Sequence, residues 1–245
     1  MESNGPTIRP LEEIAAAFRL LTRPPFRTLL LLSFVLGLVS ASIADLVGPD
    51  PAPEYGFLLT SSTLFFAFAS IYVHIAVTLA AGGSGEGSAE GWIRAALRRR
   101  CLWRYVGASI IAVLLILIGA LALVVGAVFV GSWLALTQPA VVLERKRPVE
   151  ALNRSTEITR PARKPVGILF AAFYLPVIGA AAVFFVWEIR LDFVFQVLVD
   201  AAGTAVVAFP ATIVFTRVFV KLGGEPTPPL QTLLYKANAG SSLRP

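Results

Sequence analysis

The sequence predicts an all-α, polytopic membrane protein with six transmembrane helices in three hairpins, each hairpin preceded by a short amphipathic cytoplasmic helix. Three observations predict this class. Mean hydropathy is +0.76 and only 15% of the residues are charged, where soluble domains carry about a quarter. The charges are clumped, so that the 39 residues between Arg104 and Glu144 include none. A pattern of acid and base also recurs ahead of three of the apolar runs.

A helical crossing needs about 20 apolar residues at 1.5 Å each. Residues 26–46 and 56–81 are the first two spans. The uncharged run 105–143 is too long for one crossing and suits two, with the turn placed at residues 124–127 around Gly126. A buried re-entrant hairpin is the alternative of the same parity. Residues 165–187 form the fifth span and 193–216 the sixth, which Asp200 and Pro210 interrupt. The segment ahead of the first span is long for the basic region of a secretory signal, so that span is expected to be retained.

The basic residues orient these spans. With the N-terminus inside, 20 of the 21 Lys and Arg residues fall in cytoplasmic segments and only Arg190 falls outside. The outer loops instead hold Asp45, Asp50, Glu54, Glu188 and Asp192. This is the asymmetry of a multi-pass protein with positive residues inside. The expected location is the bacterial cytoplasmic (inner) membrane, with both termini cytoplasmic. The net charge of +6 therefore reads as orientation and as contact with anionic lipid headgroups. Nucleic-acid binding is excluded, because no basic domain stands apart from the spans.

The recurring pattern precedes spans one, three and five. It reads EIAAAFRLLTRPPFR, EGWIRAALRRRCLWR and EALNRSTEITRPARK. Glu13, Glu90 and Glu150 correspond, as do Arg23, Arg100 and Arg160, and Arg27, Arg104 and Lys164. Residues 1–222 are thus expected to form one membrane domain of three repeats, about 11–81, 88–143 and 148–216, followed by a flexible cytoplasmic tail at 223–245. The alternative is convergent interface chemistry on unrelated segments.

Each short helix has its own start signal. Pro10 suits a first helical turn, and Leu11, Ile14, Ala15, Phe18 and Leu21 make an apolar stripe with Glu12, Glu13 and Arg19 turned away. Ser88 is an N-cap with Glu90 in the first turn, ahead of Trp92, Ile93, Ala96 and Leu97. Pro148 opens the third, where Ala151, Leu152, Ser155 and Ile158 share a face. Such helices lie in the headgroup plane or pack as elbows under the bundle. Pro24 and Pro161, each in a Thr-Arg-Pro triplet, end the flat helix, because the residue before proline avoids helical geometry. Arg23, Arg27, Arg100, Arg104, Arg160 and Lys164 would then anchor the corners at the headgroups, their stems snorkelling toward water.

Ionisable residues within spans are functional candidates. Asp200 is one; it otherwise marks a shorter span or pairs with Arg190. His74 is another, as a proton relay or as a hydrogen-bonded packing histidine. Glu144 closes span four, where a helix C-terminus disfavours an acid. Arg145, Lys146, Arg147 and Arg154 are near enough to offset it, as a structural ion pair or as part of a substrate site. Gln138 and Pro139 are expected to kink that span. The four-residue spacing of Ala122 and Gly126, and of Ala127, Gly131 and Ala135, reads as close helix packing. A single cysteine, Cys101, permits no intrachain disulfide and, with one histidine, no Cys/His zinc site. No phosphate-cradling loop, nucleophile elbow or HExxH is present. No cofactor is expected, and the chain is expected not to be an enzyme.

One stretch resembles a known family. QPAVVLERKRPVEALNRSTEIT, residues 138–159, is similar to the glycerophosphoryl diester phosphodiesterase membrane-domain family and related six-span bacterial membrane proteins. Pro139, Glu144, Ala151, Arg154 and Ser155 carry the match, and EEIAAAFRLLTRPPFRTLLLL fits the family's opening. The resemblance implies a membrane module without the hydrolase chemistry, which belongs to a separate soluble domain. The expected function is a structural, accessory or lipid-interacting module whose partners are anionic lipids and a membrane-protein partner or further copies of itself. A small transporter with Asp200, His74 or Gln138 along its path is the alternative.

Overall fold

The computed structural model describes residues 8–47, 53–83, 87–120, 123–186 and 203–225. Among these residues the chain is helical throughout, with no strand. Helix α1 is Pro10–Leu21, α2 Pro24–Val47, α3 Pro53–Gly82, α4 Ala89–Arg99 and α5 Leu102–Ala120. Helix α6 is Leu123–Leu134, α7 Thr137–Leu143, α8 Pro148–Thr159, α9 Arg163–Val186 and α10 Phe209–Lys221. A 3₁₀ turn at Arg160–Ala162 joins α8 to α9, and a π-helical turn at Thr204–Ala208 leads into α10.

Three described segments are long and apolar enough to cross a bilayer: Leu64–Gly82, Leu102–Gly119 and Gly126–Leu143, with mean hydropathies of 2.0, 2.0 and 1.6. A fourth joins them if α1 and α2 are one broken span; these two helices meet at 85°. Both halves of the 105–143 run therefore have the length of a crossing. Residues 124–127, where the turn was expected, are inside α6. Gly126 serves contact instead of a turn: a Cβ on Gly119 would stand 2.9 Å from the Gly126 carbonyl, so α5 and α6 approach backbone to backbone.

Helices α3, α7 and α10 make the centre. α3 packs against α2, α4, α7 and α10, and α7 also packs on α5 and α8. The fully buried side chains follow that layout, with Ile75 and Leu79 on α3, Leu143 on α7 and Phe209, Ile213 and Phe219 on α10. The outer faces of α2, α5 and α9 expose Leu31, Val35, Ile110, Leu114, Ile118 and Ile168. Apolar side chains pointing out of the bundle on long helices are what a hydrocarbon solvent selects.

The short helices begin where proline or serine placed them. Pro10 and Pro148 occupy the first positions of α1 and α8, and Ser88 accepts from the Gly91 amide at 3.0 Å. In α8, Ala151, Leu152, Ser155 and Ile158 are all buried, as their spacing predicted. In α1 the expected orientation is wrong at several positions. Glu13 is turned inward and is 2% exposed, while Leu11 and Phe18 face outward at 82% and 47%. The cause is an ion pair with α10, described below, which an amphipathic count assigns to the wrong face.

Three corners follow α1, α4 and α8, and they are not built alike. At the first, the Thr22 hydroxyl donates to the Arg19 carbonyl at 2.7 Å and Pro24 opens α2. At the third, Arg160 stays helical and Pro161 sits in the 3₁₀ turn. The second has no proline, and there Arg100 takes a left-handed conformation with φ 49° to stop α4. A non-glycine residue pays about 1–2 kcal/mol for that geometry.

Candidate functional site

The residues singled out between 138 and 159 converge on one joint. The apolar segment Gly126–Leu143 is broken at Ala135 and Leu136, between α6 and α7. Pro139 follows in the first turn of α7, where an absent N–H breaks no helical bond. The break itself is held from outside. The Ser155 hydroxyl on α8 donates to the Trp133 carbonyl at 2.6 Å and accepts from the Leu136 amide at 3.1 Å. One buried hydroxyl thus replaces the ladder bonds that the interruption removes. The helix is interrupted just ahead of Gln138 and Pro139, and a serine on another helix bonds both sides of the interruption.

At the far end of α7, Glu144 meets Arg154, whose Nε donates to both carboxylate oxygens at 3.2 and 3.3 Å. Of the four bases that stood near Glu144 in sequence, Arg154 makes the ion pair. Arg154 also donates to Glu157 at 3.2 Å and to the Gly223 carbonyl beyond α10 at 3.5 Å. Burial pulls its guanidinium down, but the Glu157 hydrogen bond and the Glu144 charge outweigh that and hold it above its ordinary value.

A second cation caps the same helix end. Arg99, 2% exposed at the end of α4, donates to the Leu143 carbonyl at 3.0 Å, which satisfies an orphan carbonyl and favours the negative end of α7. Burial and the nearby Arg145 charge pull Arg99 down to about 10, so it remains charged at neutral pH. Burial also pushes the neighbouring Cys101 thiol up. Arg145, which follows the end of α7, is left-handed at φ 58°, and its carbonyl accepts from Arg104 at 2.8 Å.

The third junction is Glu13 of α1. Lys221 Nζ donates to its Oε1, and Arg217 Nε lies 3.5 Å from its Oε2. No local signal marked Glu13 as buried, because its partners are more than 200 residues away in the chain. With Arg99 on α7 and Arg154 reaching beyond α10, this contact gathers α1, α4 and α8 at one end of the bundle.

Nearer the bundle centre lies a chamber of about 250 Å³ between α5, α6, α7, α9 and α10. Ser109, Thr137, Gln138, Tyr174 and Thr212 supply its polar lining. Gln138 donates to the Ser109 hydroxyl at 3.4 Å. The buried Thr137 hydroxyl has no hydrogen-bond partner among the described residues. His74 of α3 lies behind Thr212, with 3.3 Å between Nδ1 and the hydroxyl. Thr212 gives its proton to the Ala208 carbonyl at 2.8 Å, so the ring donates from Nδ1. Gly131 admits the Phe170 ring to this chamber's wall, since a Cβ there would overlap it.

The six corner bases Arg23, Arg27, Arg100, Arg104, Arg160 and Lys164 are all exposed. Asp200 lies outside the described residues, as do Arg190 and residues 226–245 of the tail. Among the described residues no three His, Cys, Asp or Glu side chains converge as metal ligands. The chain matches no family model, and neither a curated protein nor a solved structure matches it significantly.

Proposed function

We propose that the chain is a non-enzymatic, six-span inner-membrane protein, three hairpins entered from cytoplasmic elbows, that acts as a structural or accessory module and binds anionic lipid at those elbows. The resemblance of residues 138–159 to the phosphodiesterase membrane-domain family belongs to this reading, without the hydrolase activity. The observation that carries it is the exposure of all six corner bases beside exposed apolar side chains such as Trp103, Leu97 and Phe18. A base over an apolar side chain at a helix–span corner is the arrangement that meets a phosphate headgroup and an acyl chain together.

Native mass spectrometry of the protein released gently from its own membrane tests the reading. Retained anionic lipid or a stoichiometric partner, lost on Arg23, Arg100 and Arg160→Ala, is the expected result. A bare chain without lipid or partner overturns it.

A second reading, a small transporter, is favoured by one observation: the chamber with Gln138, Ser109 and an unpartnered Thr137 hydroxyl. Intramembrane polar groups around a cavity mark solute paths. Uptake into vesicles that Asp200→Asn and Gln138→Leu abolish would establish this reading in place of the first.

A further inference from the structure

A groove of about 640 Å³ runs between α6 and α9, in the size range of ligand sites. Val128 and Phe129 form one wall; Gly167, Ala171 and Leu175 form the other. The small residues Gly167 and Ala171 stand one turn apart on α9 and make the indentation. From Arg163 to Leu175 the groove follows twelve residues, about 18 Å of helix, against about 15 Å of hydrocarbon in one leaflet.

Its mouth is different in kind from its length. Arg163 and Lys164 line it at one end, both exposed. The Arg163 guanidinium lies 5.0 Å over the Trp133 ring, a cation–π contact that orders its stem and leaves its charge available. No acid lines the groove among the described residues. A second apolar groove, lined by Leu32, Leu36, Phe65, Phe68, Ala69 and Tyr72 among others, has no charged residue in its lining among the described residues. Two grooves thus offer an acyl chain a seat, and one of them adds two positive charges at one end.

We propose that the α6–α9 groove is a site for one anionic phospholipid, its phosphate held by Arg163 and Lys164 and one acyl chain laid along Gly167, Ala171 and Leu175. The site deepens the lipid-binding reading above and rests on the membrane orientation it assumes, but it uses none of Arg23, Arg100 and Arg160. A bilayer surrounds both grooves with chains, so the headgroup bases decide which lipid stays. Each base near an anionic headgroup is worth about 1 kcal/mol.

The test is lipid titration of the purified full chain in mixed micelles, read by native mass spectrometry, with phosphatidylglycerol and phosphatidylcholine as probes. One phosphatidylglycerol per chain is expected to bind ahead of phosphatidylcholine. Arg163→Gln with Lys164→Gln is expected to weaken it roughly 30-fold, the equivalent of about 2 kcal/mol. Ala171→Phe, which fills the groove and spares both charges, is expected to weaken it at least tenfold. Ala69→Phe in the second groove leaves the preference unchanged.

Free glycerol 3-phosphate is expected not to compete; competition at equal concentration would mean that the bases bind a soluble phosphate, and would overturn the lipid assignment. Unchanged phosphatidylglycerol binding in both α9 variants would also overturn it. If binding then fell on Arg23, Arg100 and Arg160→Ala, the elbow reading would stand without the groove. Loss of binding on Arg163→Gln with Lys164→Gln but not on Ala171→Phe would overturn the seating of the chain.

Discussion

The joint between α7 and α8 and the joint between α1 and α10 both set a glutamate against basic side chains at the same end of the bundle, but they solve different problems. Glu144 and Arg154 are ten residues apart, with the Arg154 side chain 30% exposed and its hydrogen bonds shared among Glu144, Glu157 and Gly223. Glu13 is 2% exposed and draws on Arg217 and Lys221 from the opposite end of the chain. One of its oxygens forms no hydrogen bond among the described residues. The first joint is a local clasp with several partners; the second depends on charge compensation of a buried carboxylate. Losing one partner of a buried pair strands the other, and that costs more than the pair contributes.

This difference can be broken in order of size. Arg217→Gln with Lys221→Gln leaves Glu13 buried without a cation, and is expected to lower stability by about 3 kcal/mol or more in detergent-titration unfolding. Glu13→Gln should cost clearly less, since the cations left behind are partly exposed. If the two variants cost the same, Glu13 is not the buried member. Ser155→Ala strands the Trp133 carbonyl and the Leu136 amide at the α6–α7 break, and is expected to cost about 2 kcal/mol by the same measurement. A loss below a few tenths would mean that water or a rejoined helix replaces the hydroxyl. Glu12→Ala removes an exposed pair with Arg9 and is expected to change stability by less than about 0.5 kcal/mol. A larger loss would show α1 held by its outer face.

The local clasp was legible in the sequence and the distant one was not. Glu144 and Arg154 stood in one short stretch, and an acid at a helix C-terminus asks for a base nearby. The helix starts at Pro10, Ser88 and Pro148 were legible for the same reason, since each is decided within one turn. Glu13 was assigned to water because periodicity ranks residues by polarity, and no local feature reports a lysine 208 residues away. A kink was expected at Gln138 and Pro139; the helix is interrupted just ahead of them, at Ala135 and Leu136. The interruption falls where Ser155 of another helix accepts the freed amide. The second corner carries no proline, so its left-handed Arg100 had no sequence signal. Asp200, a candidate from the sequence, lies outside the described residues.

The contact between α1 and α10 also sets a schedule. Glu13 leaves the ribosome early, and Arg217 and Lys221 follow more than 200 residues later, roughly ten to forty seconds at ordinary rates of synthesis. For that interval the carboxylate that ends up buried has neither of its two cations, and the contact cannot close. The chain's first helix stays an open latch until its last described helix arrives to seat it.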